Sequence, residues 1–453
     1  MVDSADRQKV FSVIDSRFED FVRELSEYTR IPTISAQGTR FQEGADATRK
    51  VLEARGARVR LMPEEGGPPV VIGEIVEEPS LPWVILYNHY DVQPVDPLDE
   101  WETDPFEPVV KDGKLFGRGT SDTKGNVVAQ ATAIQATRDV TGRLPVNVRY
   151  FVDGEEESGS PHLPKFADAH PELFKGLGAT IEAAGHTTDG RPVMSLGSKG
   201  ILSVELGVRT AKGDQHSSLA AILPNAAWRL IAALRTLRSE NGKILIEGFH
   251  DGVIPPDPEM LRYLRKNSAD PLRYKEVYGV SEVFGGRTRY QRLKRFMYGT
   301  TCTIDGIWSG YTGDGHKTVN PAVAHAKLDF RLLPGQRPDA IFDKLVAHLR
   351  NKGFADVSVD KHSTFEPASS SIRERLPQAI LAAVREVYRT EPLVYPWSAG
   401  SSTTWYFTRV GTPSPHPPGV GYDGSRAHAP NENIRLTDAR QSMKAIAATI
   451  MSL

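Results

Sequence analysis

The stretch His89-Tyr90-Asp91 carries two side chains that can build a metal site. His89 and Asp91 are two residues apart, so in an extended chain their side chains point the same way. A neutral imidazole binds zinc-like ions, and a nearby carboxylate can fix the tautomer of the ring. A lone histidine after a strand is more often structural than a ligand. The metal-site hypothesis therefore depends on further ligand-type residues at matching places in the fold.

Hydrophobic runs predict the strands that position these residues. Residues 83–87 form a short, unbroken run of β-branched and aromatic side chains, which predicts a buried strand ending just before His89. Residues 146–152 predict a second such strand, and it ends at the acidic run Glu155-Glu156-Glu157. Adjacent glutamates usually form a solvated surface, but at the end of a buried strand they are costly unless cations compensate their charge. One of them could bind a metal, and its neighbour could act as general base on water.

Three more ligand-type residues follow strands or lie in loops of the same domain. Asp122 lies in a Gly-rich loop before a predicted helix over 127–138, Glu182 follows the apolar segment 179–181, and His428 precedes the last helix. Two histidines and three carboxylates can hold two zinc-like ions, with one carboxylate shared between them. Asp122 is the natural bridge.

Composition narrows the class of protein. The chain has 453 residues, 39% of them hydrophobic and 25% charged, as expected of a globular protein with two or more domains. The net charge of −2 argues against nucleic-acid or anionic-membrane partners. Cys302 is the only cysteine, which excludes an intrachain disulfide and suits a reducing compartment. With no signal-peptide core and no apolar run of about 18 residues, the sequence predicts a cytoplasmic protein.

Changes in hydrophobic periodicity divide the chain. An α/β domain is predicted over 1–200 and again over 370–453, with a mixed sheet and helices on both faces. From residue 201 the pattern alternates, which predicts an α+β domain of strand, helix, strand and helix over 201–369. Residues 251–300 are polar and basic, and we interpret them as an insertion. The second domain therefore interrupts the first.

The chain resembles the M20 family of metallopeptidases, and its long middle domain resembles that of the carnosine-dipeptidase-like branch. The similarity covers nearly the whole chain, from about residue 30 to the end. It is carried by these motifs: His89-Tyr90-Asp91-Val92-Gln93-Pro94, Trp101 with Asp104-Pro105-Phe106, Gly117-Arg118-Gly119 with Asp122 and Lys124-Gly125, Glu156-Glu157-Ser158-Gly159-Ser160, His216-Ser217, and His428 with Asn431-Glu432.

The resemblance implies a role for each candidate in the α/β domain. It implies two divalent ions per chain, zinc first and manganese or cobalt as alternatives, with Asp122 as the bridging ligand and a cis peptide after it. It implies general acid–base catalysis by Glu156 and leaves Glu155 outside the site. The other implied roles are metal ligation by His89, Glu157, Glu182 and His428, and orientation of His89 by Asp91.

The resemblance also implies that the middle domain is a lid and a dimerisation domain. His216 would reach the active site of the neighbouring subunit of a homodimer and stabilise an oxyanion. Arg331 would bind the substrate carboxylate, since a guanidinium fork fits that group well, and Thr318 and Ser401 would contact substrate. Without the family resemblance, the sequence favours Arg331 as a surface strand residue and Ser401 as a helix cap.

The sequence therefore predicts a metal-dependent hydrolase that cleaves an amide bond in small carboxylate-bearing substrates such as dipeptides. Glu182 departs from the dipeptidase pattern, which usually has aspartate there with a spacing about one residue different. The alternative is an N-acyl-amino-acid deacylase or a related amidohydrolase with the same site. A non-catalytic protein that kept the fold is disfavoured, because Glu156 and all the ligand candidates are present.

Overall fold

The computed structural model describes residues 4–63, 66–182 and 185–453. Its thirteen helices are α1 (Ser4–Ser16), α2 (Phe18–Thr29), α3 (Phe41–Glu53), α4 (Lys124–Thr141), α5 (Leu163–Ala169), α6 (Ala226–Leu237), α7 (Pro258–Lys266), α8 (Tyr274–Tyr278), α9 (Arg289–Tyr298), α10 (Pro338–Asn351), α11 (Arg375–Tyr388), α12 (Thr404–Thr408) and α13 (Leu436–Met451). None of the helices in these ranges is long and apolar enough to cross a membrane.

Nine longer strands build the two main sheets. They are β1 (Arg58–Met62), β2 (Val70–Ile75), β3 (Trp83–His89), β4 (Asn147–Asp153), β5 (Gly178–Ile181), β6 (Gly200–Arg209), β7 (Thr303–Ser309), β8 (Val323–Leu332) and β9 (Val357–Phe365). The remaining strands have two or three residues: Val109–Lys111, Lys114–Phe116, Val193–Ser195, Gly197–Ser198, Gln215–His216, Val319–Asn320, Ala368–Ser369, Leu393–Tyr395 and Asn433–Arg435.

The first sheet is mixed and has the order β1-β2-β4-β3-β5. β1, β2 and β4 pair antiparallel, whereas β4, β3 and β5 run parallel to one another. In the parallel part His89 lies opposite Asp153, at the ends of β3 and β4. The chain therefore leaves all three parallel strands at the same edge of the sheet, and the candidate ligands follow at that edge.

Helices cover both faces of this sheet, because its central strands carry apolar side chains on both sides. On one face, Val84, Leu86 and Tyr150 pack in a core with α1–α4, α11 and α13. On the other, Ile85 and Phe151 pack in a smaller aromatic core with α5 and α12. The predicted α/β fold with a mixed sheet and helices on both faces is confirmed.

The second sheet is antiparallel and has the order β7-β8-β6-β9. Along β6 and β8, buried and half-buried residues alternate. The buried face packs against α6 and α10 in a core of its own. The strand–helix–strand–helix pattern from the sequence is present, with β7 and β9 added at the two edges. We call this unit the lid domain.

Two parts of the chain differ from the sequence predictions. The amphipathic pattern over 11–28 indicates one helix, but the structure has two, which meet at Arg17. Residues 251–300 contain three helices, α7, α8 and α9. Met260 of α7 belongs to the α/β core rather than to the lid core. An amphipathic segment in an otherwise basic stretch can pack on a neighbouring domain, which composition alone does not reveal. The boundaries at residues 200 and 370 stay a prediction.

Candidate metal centre and substrate site

His89 is held at the end of β3 by the carboxylate predicted to orient it. The imidazole is 1% exposed, and its Nδ1 lies 3.2 Å from Oδ1 of Asp91. Asp91 also accepts hydrogen bonds from the backbone N–H groups of Glu156 and Glu157, at 3.1 and 3.0 Å. One buried carboxylate therefore connects the β3 ligand with the loop after β4, and leaves Nε2 of His89 directed at Asp122.

Asp122 lies between the two histidines. Its Oδ1 is 3.0 Å from Nε2 of His89, and its Oδ2 is 3.1 Å from Nε2 of His428. Burial opposes ionisation of Asp122, but the two imidazoles hold its pKa well below the usual value. The peptide between Asp122 and Thr123 is cis, as the resemblance implies. Each carboxylate oxygen thus faces one imidazole, which is the arrangement of a bridging ligand.

His428 and Glu157 form the other side of this cluster. Nε2 of His428 lies 3.1 Å from Oε2 of Glu157, and hydrogen bonds with Asp122 and Glu157 raise the pKa of His428 to about 10. Gln93 donates a hydrogen bond of 2.8 Å to the same oxygen of Glu157. The side chain of Glu157 is almost fully buried, whereas that of His428 is half exposed. The site is therefore open on the His428 side.

Glu156 and Glu182 approach His89 from β4 and β5. Their carboxylates and the His89 ring offer ligand atoms within 4.8 Å of one another, and His89, Asp122 and Glu157 do the same. Burial, then the charge of Glu182, raises the pKa of Glu156 well above its usual value. Burial raises the pKa of Glu182 to about 7, and its Oε1 is buried without a hydrogen-bond partner.

These observations fit a site for divalent cations. Two imidazoles and four carboxylates converge in a space where burial makes negative charge costly, and a cation removes that cost. The donor set of nitrogen and carboxylate oxygen suits zinc, cobalt and manganese. The structure brings all five ligands predicted from the sequence together at one sheet edge: His89, Asp122, Glu157, Glu182 and His428.

The predicted substrate-binding residues fall into two groups. Arg331, on β8 of the lid, donates a hydrogen bond of 3.0 Å to Oγ of Ser401 in the loop before α12. Its Nε lies 3.5 Å from Asp329. His216 and Thr318 lie together elsewhere in the lid, where both are exposed and Ser217 N–H donates to the carbonyl of Thr318. The structure therefore joins Arg331 to Ser401 across the two domains and leaves His216 on an outer surface.

Sequence reasoning gave no role to some residues that support the cluster. Gln93 and Glu432 belong to the family motifs but have no role predicted from the sequence, yet Gln93 bonds Glu157, and Glu432 bonds the loop that carries Asp122. Glu155 turns away from the cluster and accepts hydrogen bonds from His162, in line with its expected place outside the site. In the loop of residues 101–106, the indole of Trp101 packs against the guanidinium of Arg118. Long sequence separations hide such bonds from any local pattern.

The fold and the cluster together are those of a metallopeptidase. The chain matches the model of Peptidase family M20/M25/M40 over residues 85–452. It belongs to this family, and the M20-type metallopeptidase predicted from the motifs is confirmed.

The individual relatives include two dipeptidases and one carboxypeptidase. The chain is 30% identical to the human Beta-Ala-His dipeptidase over 413 residues, 85% of this chain and 80% of that protein. It is 30% identical to the Cys-Gly metallodipeptidase dug1 of Schizosaccharomyces pombe over 367 residues, 76% of each chain. Its fold matches that of the M20 family metallo-carboxypeptidase Sso-CP2 from Sulfolobus solfataricus with a TM-score of 0.91 and 34% identity, over 95% of this chain and 98% of that one.

Proposed function

We propose that this chain hydrolyses the amide bond of dipeptides and similar small substrates with a free carboxylate, using two divalent ions and Glu156 as general base. One observation carries the proposal: both oxygens of Asp122 face a histidine, and Glu156 lies beside the same cluster. Relatives named as dipeptidases support the substrate class.

The chain's own residues would hold two ions, with zinc as the first choice. His89 and Glu182 would bind one ion, His428 and Glu157 the other, and Asp122 both. Bound ions of this kind lower the pKa of water and polarise a carbonyl oxygen. Asp91 keeps the Nδ1 proton of His89 on its own side, so that Nε2 presents its lone pair to the site.

Glu156 would move the proton. Burial and the charge of Glu182 raise the pKa of Glu156, which makes its carboxylate a stronger base than an ordinary glutamate and suits it to take a proton from water. In the first step a carboxylate oxygen of Glu156 removes a proton from the attacking water. In the second step the same oxygen delivers that proton to the nitrogen of the leaving amine. The backbone N–H group of Glu156 donates a hydrogen bond to Asp91, which holds the Glu156 backbone in place.

Arg331, Ser401 and Thr318 would bind the substrate, and His216 of a second subunit would donate to the oxyanion. Nδ1 of His216 accepts a hydrogen bond from the Ser218 N–H, so in the neutral ring the proton is on Nε2. A neutral Nε2–H is the donor that an oxyanion needs. The chain would form a homodimer through the lid, where Ile222 and Trp228 are exposed and β7 is an edge strand. A cytoplasmic location stays a prediction from the sequence.

Hydrolysis of a small substrate panel tests the proposal. Free dipeptides, C-terminally amidated dipeptides and N-acetylated amino acids would be compared in untreated, chelated and zinc-restored protein. We expect chelator-sensitive cleavage of the free dipeptides, much weaker cleavage of the amidated dipeptides and none of the acylated amino acids, with activity restored by zinc. Cleavage of the acylated compounds alone would establish the deacylase instead, which the glutamate at position 182 favours. Cleavage of dipeptides that survives complete metal removal would overturn the metal-dependent reaction.

A further inference from the structure

Glu432 is a fully buried carboxylate on which four N–H donors converge. Oε2 accepts hydrogen bonds from Nη1 of Arg118 at 2.9 Å and from the backbone of Gly119 at 3.0 Å. Oε1 accepts from the backbone N–H groups of Ser121 and Asp122, at 2.9 and 3.0 Å. Glu432 has no part in the proposed reaction, although it accepts a hydrogen bond from the backbone of Asp122, the proposed bridging ligand.

The position of Glu432 explains what these bonds connect. The strands Asn433–Arg435 and Lys114–Phe116 pair antiparallel, and a hydrogen bond of 2.9 Å from Gly117 N–H to the Glu432 carbonyl extends the ladder by one step. Beyond Gly117 and Glu432 the two backbone segments separate. The first segment continues from Gly117 to Asp122, and the second leads from Glu432 back to His428. Glu432 is therefore the point from which both ligand loops diverge, and its side chain binds one loop while its backbone belongs to the other.

The backbone between Glu432 and His428 is anchored as well. Asn431 accepts a hydrogen bond from Glu102 N–H at 2.8 Å and donates one to the Glu100 carbonyl at 3.0 Å. Both His428 and Asn431 have a φ of 63°, a left-handed conformation that residues other than glycine rarely adopt. A displacement of Glu432 would thus move His428 and Asp122 relative to each other.

Asp91 provides a comparison within the same site. It bonds His89 and the N–H groups of Glu156 and Glu157, and so connects two ligand loops on one side of the cluster. Glu432 connects the loops of Asp122 and His428 on the other side. We propose that Glu432, paired with Arg118, is a positioning residue that fixes Asp122 and His428 at the separation required by the ion they share. This inference rests on the proposed two-ion site.

The substitution Glu432→Gln tests it with little change in volume. The amide NH2 group of glutamine replaces one carboxylate oxygen and cannot accept hydrogen bonds from the N–H groups that point at that oxygen. Zinc content and stepwise zinc affinity would be measured on the folded protein by titration calorimetry. We expect the ion at His89 to be retained, and the affinity for the ion at His428 to fall about 10- to 100-fold, as for other residues that orient metal ligands. Two ions bound with wild-type affinities would overturn the inference.

Glu74→Gln is a matched control. Glu74 pairs with Arg149 at 2.8 Å across β2 and β4 of the first sheet, and its side chain is 19% exposed. Its partners among the described residues, Arg149 and Arg60, lie outside the ligand loops. We expect this variant to bind two zinc ions with wild-type affinities. If it loses the second ion to the same degree as Glu432→Gln, loss of any buried ion pair explains the effect, and the positioning role of Glu432 is wrong.

Glu432→Asp covers the case in which the glutamine variant does not fold. It keeps the charge beside Arg118 but shortens the side chain by one methylene. The melting temperature would be measured in chelator and in excess zinc. A merely structural role lowers both melting temperatures equally, whereas a positioning role reduces the rise that zinc produces. An unchanged rise contradicts the inference alone, while wild-type protein that binds no zinc would overturn the proposed function and the inference with it.

Discussion

The two domains hold their candidate site residues in opposite ways. In the α/β domain the metal-ligand candidates are mostly buried, and all of them except Glu182 are bonded to another member of the cluster. In the lid, His216 and Thr318 are exposed, and only Arg331 reaches the α/β domain, through Ser401. In the proposed reaction, one chain would supply all the metal ligands. The substrate-binding residues of the lid would need a second subunit or a movement of the lid to reach them.

The largest effect is expected for Glu156→Gln. The amide cannot take a proton from water, but it keeps the size of the side chain and leaves the ligands His89 and Asp122 in place. We expect kcat for a dipeptide to fall about 10²- to 10⁴-fold, with zinc content and melting temperature close to wild type. Near-normal turnover would show that the general base is elsewhere. Loss of zinc in this variant would make Glu156 a ligand.

His216→Ala tests whether the lid residue acts on its own chain or on a partner. Removing an oxyanion donor typically costs about 10²- to 10³-fold in kcat. If the residue acts across a dimer, exchanging subunits between His216→Ala and Glu156→Gln proteins creates one intact site in each mixed dimer. We then expect the inactive pair to recover about a quarter of wild-type activity, since half the dimers are mixed and each has one intact site. A fully active wild-type monomer in sedimentation, or no recovery on exchange, would contradict the role in trans.

Arg331→Lys tests the hydrogen bond between Arg331 of the lid and Ser401 of the α/β domain. Lysine keeps the charge but loses the planar fork that binds a carboxylate through two hydrogen bonds. We expect KM for a free dipeptide to rise roughly 10- to 100-fold, because hydrogen bonds to charged groups contribute about 1.5–3 kcal/mol. The C-terminally amidated dipeptide is the control, since it has no carboxylate to lose. If both substrates respond equally, Arg331 supports the lid structure and does not bind the carboxylate.

The same division explains which features the sequence could predict. The ligands follow buried strands, and the hydrophobic runs before His89, Glu157 and Glu182 place them at one sheet edge without any knowledge of long-range contacts. The bond of Glu432 to the Asp122 loop joins residues 310 positions apart in sequence. No local pattern contains such a bond. The packing of α7 on the α/β core is hidden for the same reason, because the segment is basic overall and the surface that Met260 contacts is built from distant parts of the chain.

The smallest effect concerns the stability of the metal-free protein. Glu182 has a pKa of about 7 instead of 4.5, so folding favours its protonated form. Its contribution to stability is fully present below pH 4.5 and is lost as the pH rises through 7. The contribution of His428, whose pKa is raised from 6.5 to about 10, is lost in the same direction at higher pH. Asp122 is ionised throughout this range and adds no slope.

Chelated protein should therefore lose roughly 1–3 kcal/mol of its free energy of unfolding between pH 5 and 8. Zinc replaces the protons that hold this cluster together, so the zinc-loaded protein should lose less over the same range. Melting curves with zinc and with chelator should diverge as the pH rises, and Glu182→Gln should reduce the divergence. Curves that stay parallel would mean that Glu182 does not titrate in this window. The self-contained cluster of the α/β domain would then owe its stability to hydrogen bonds rather than to the compensation of charge.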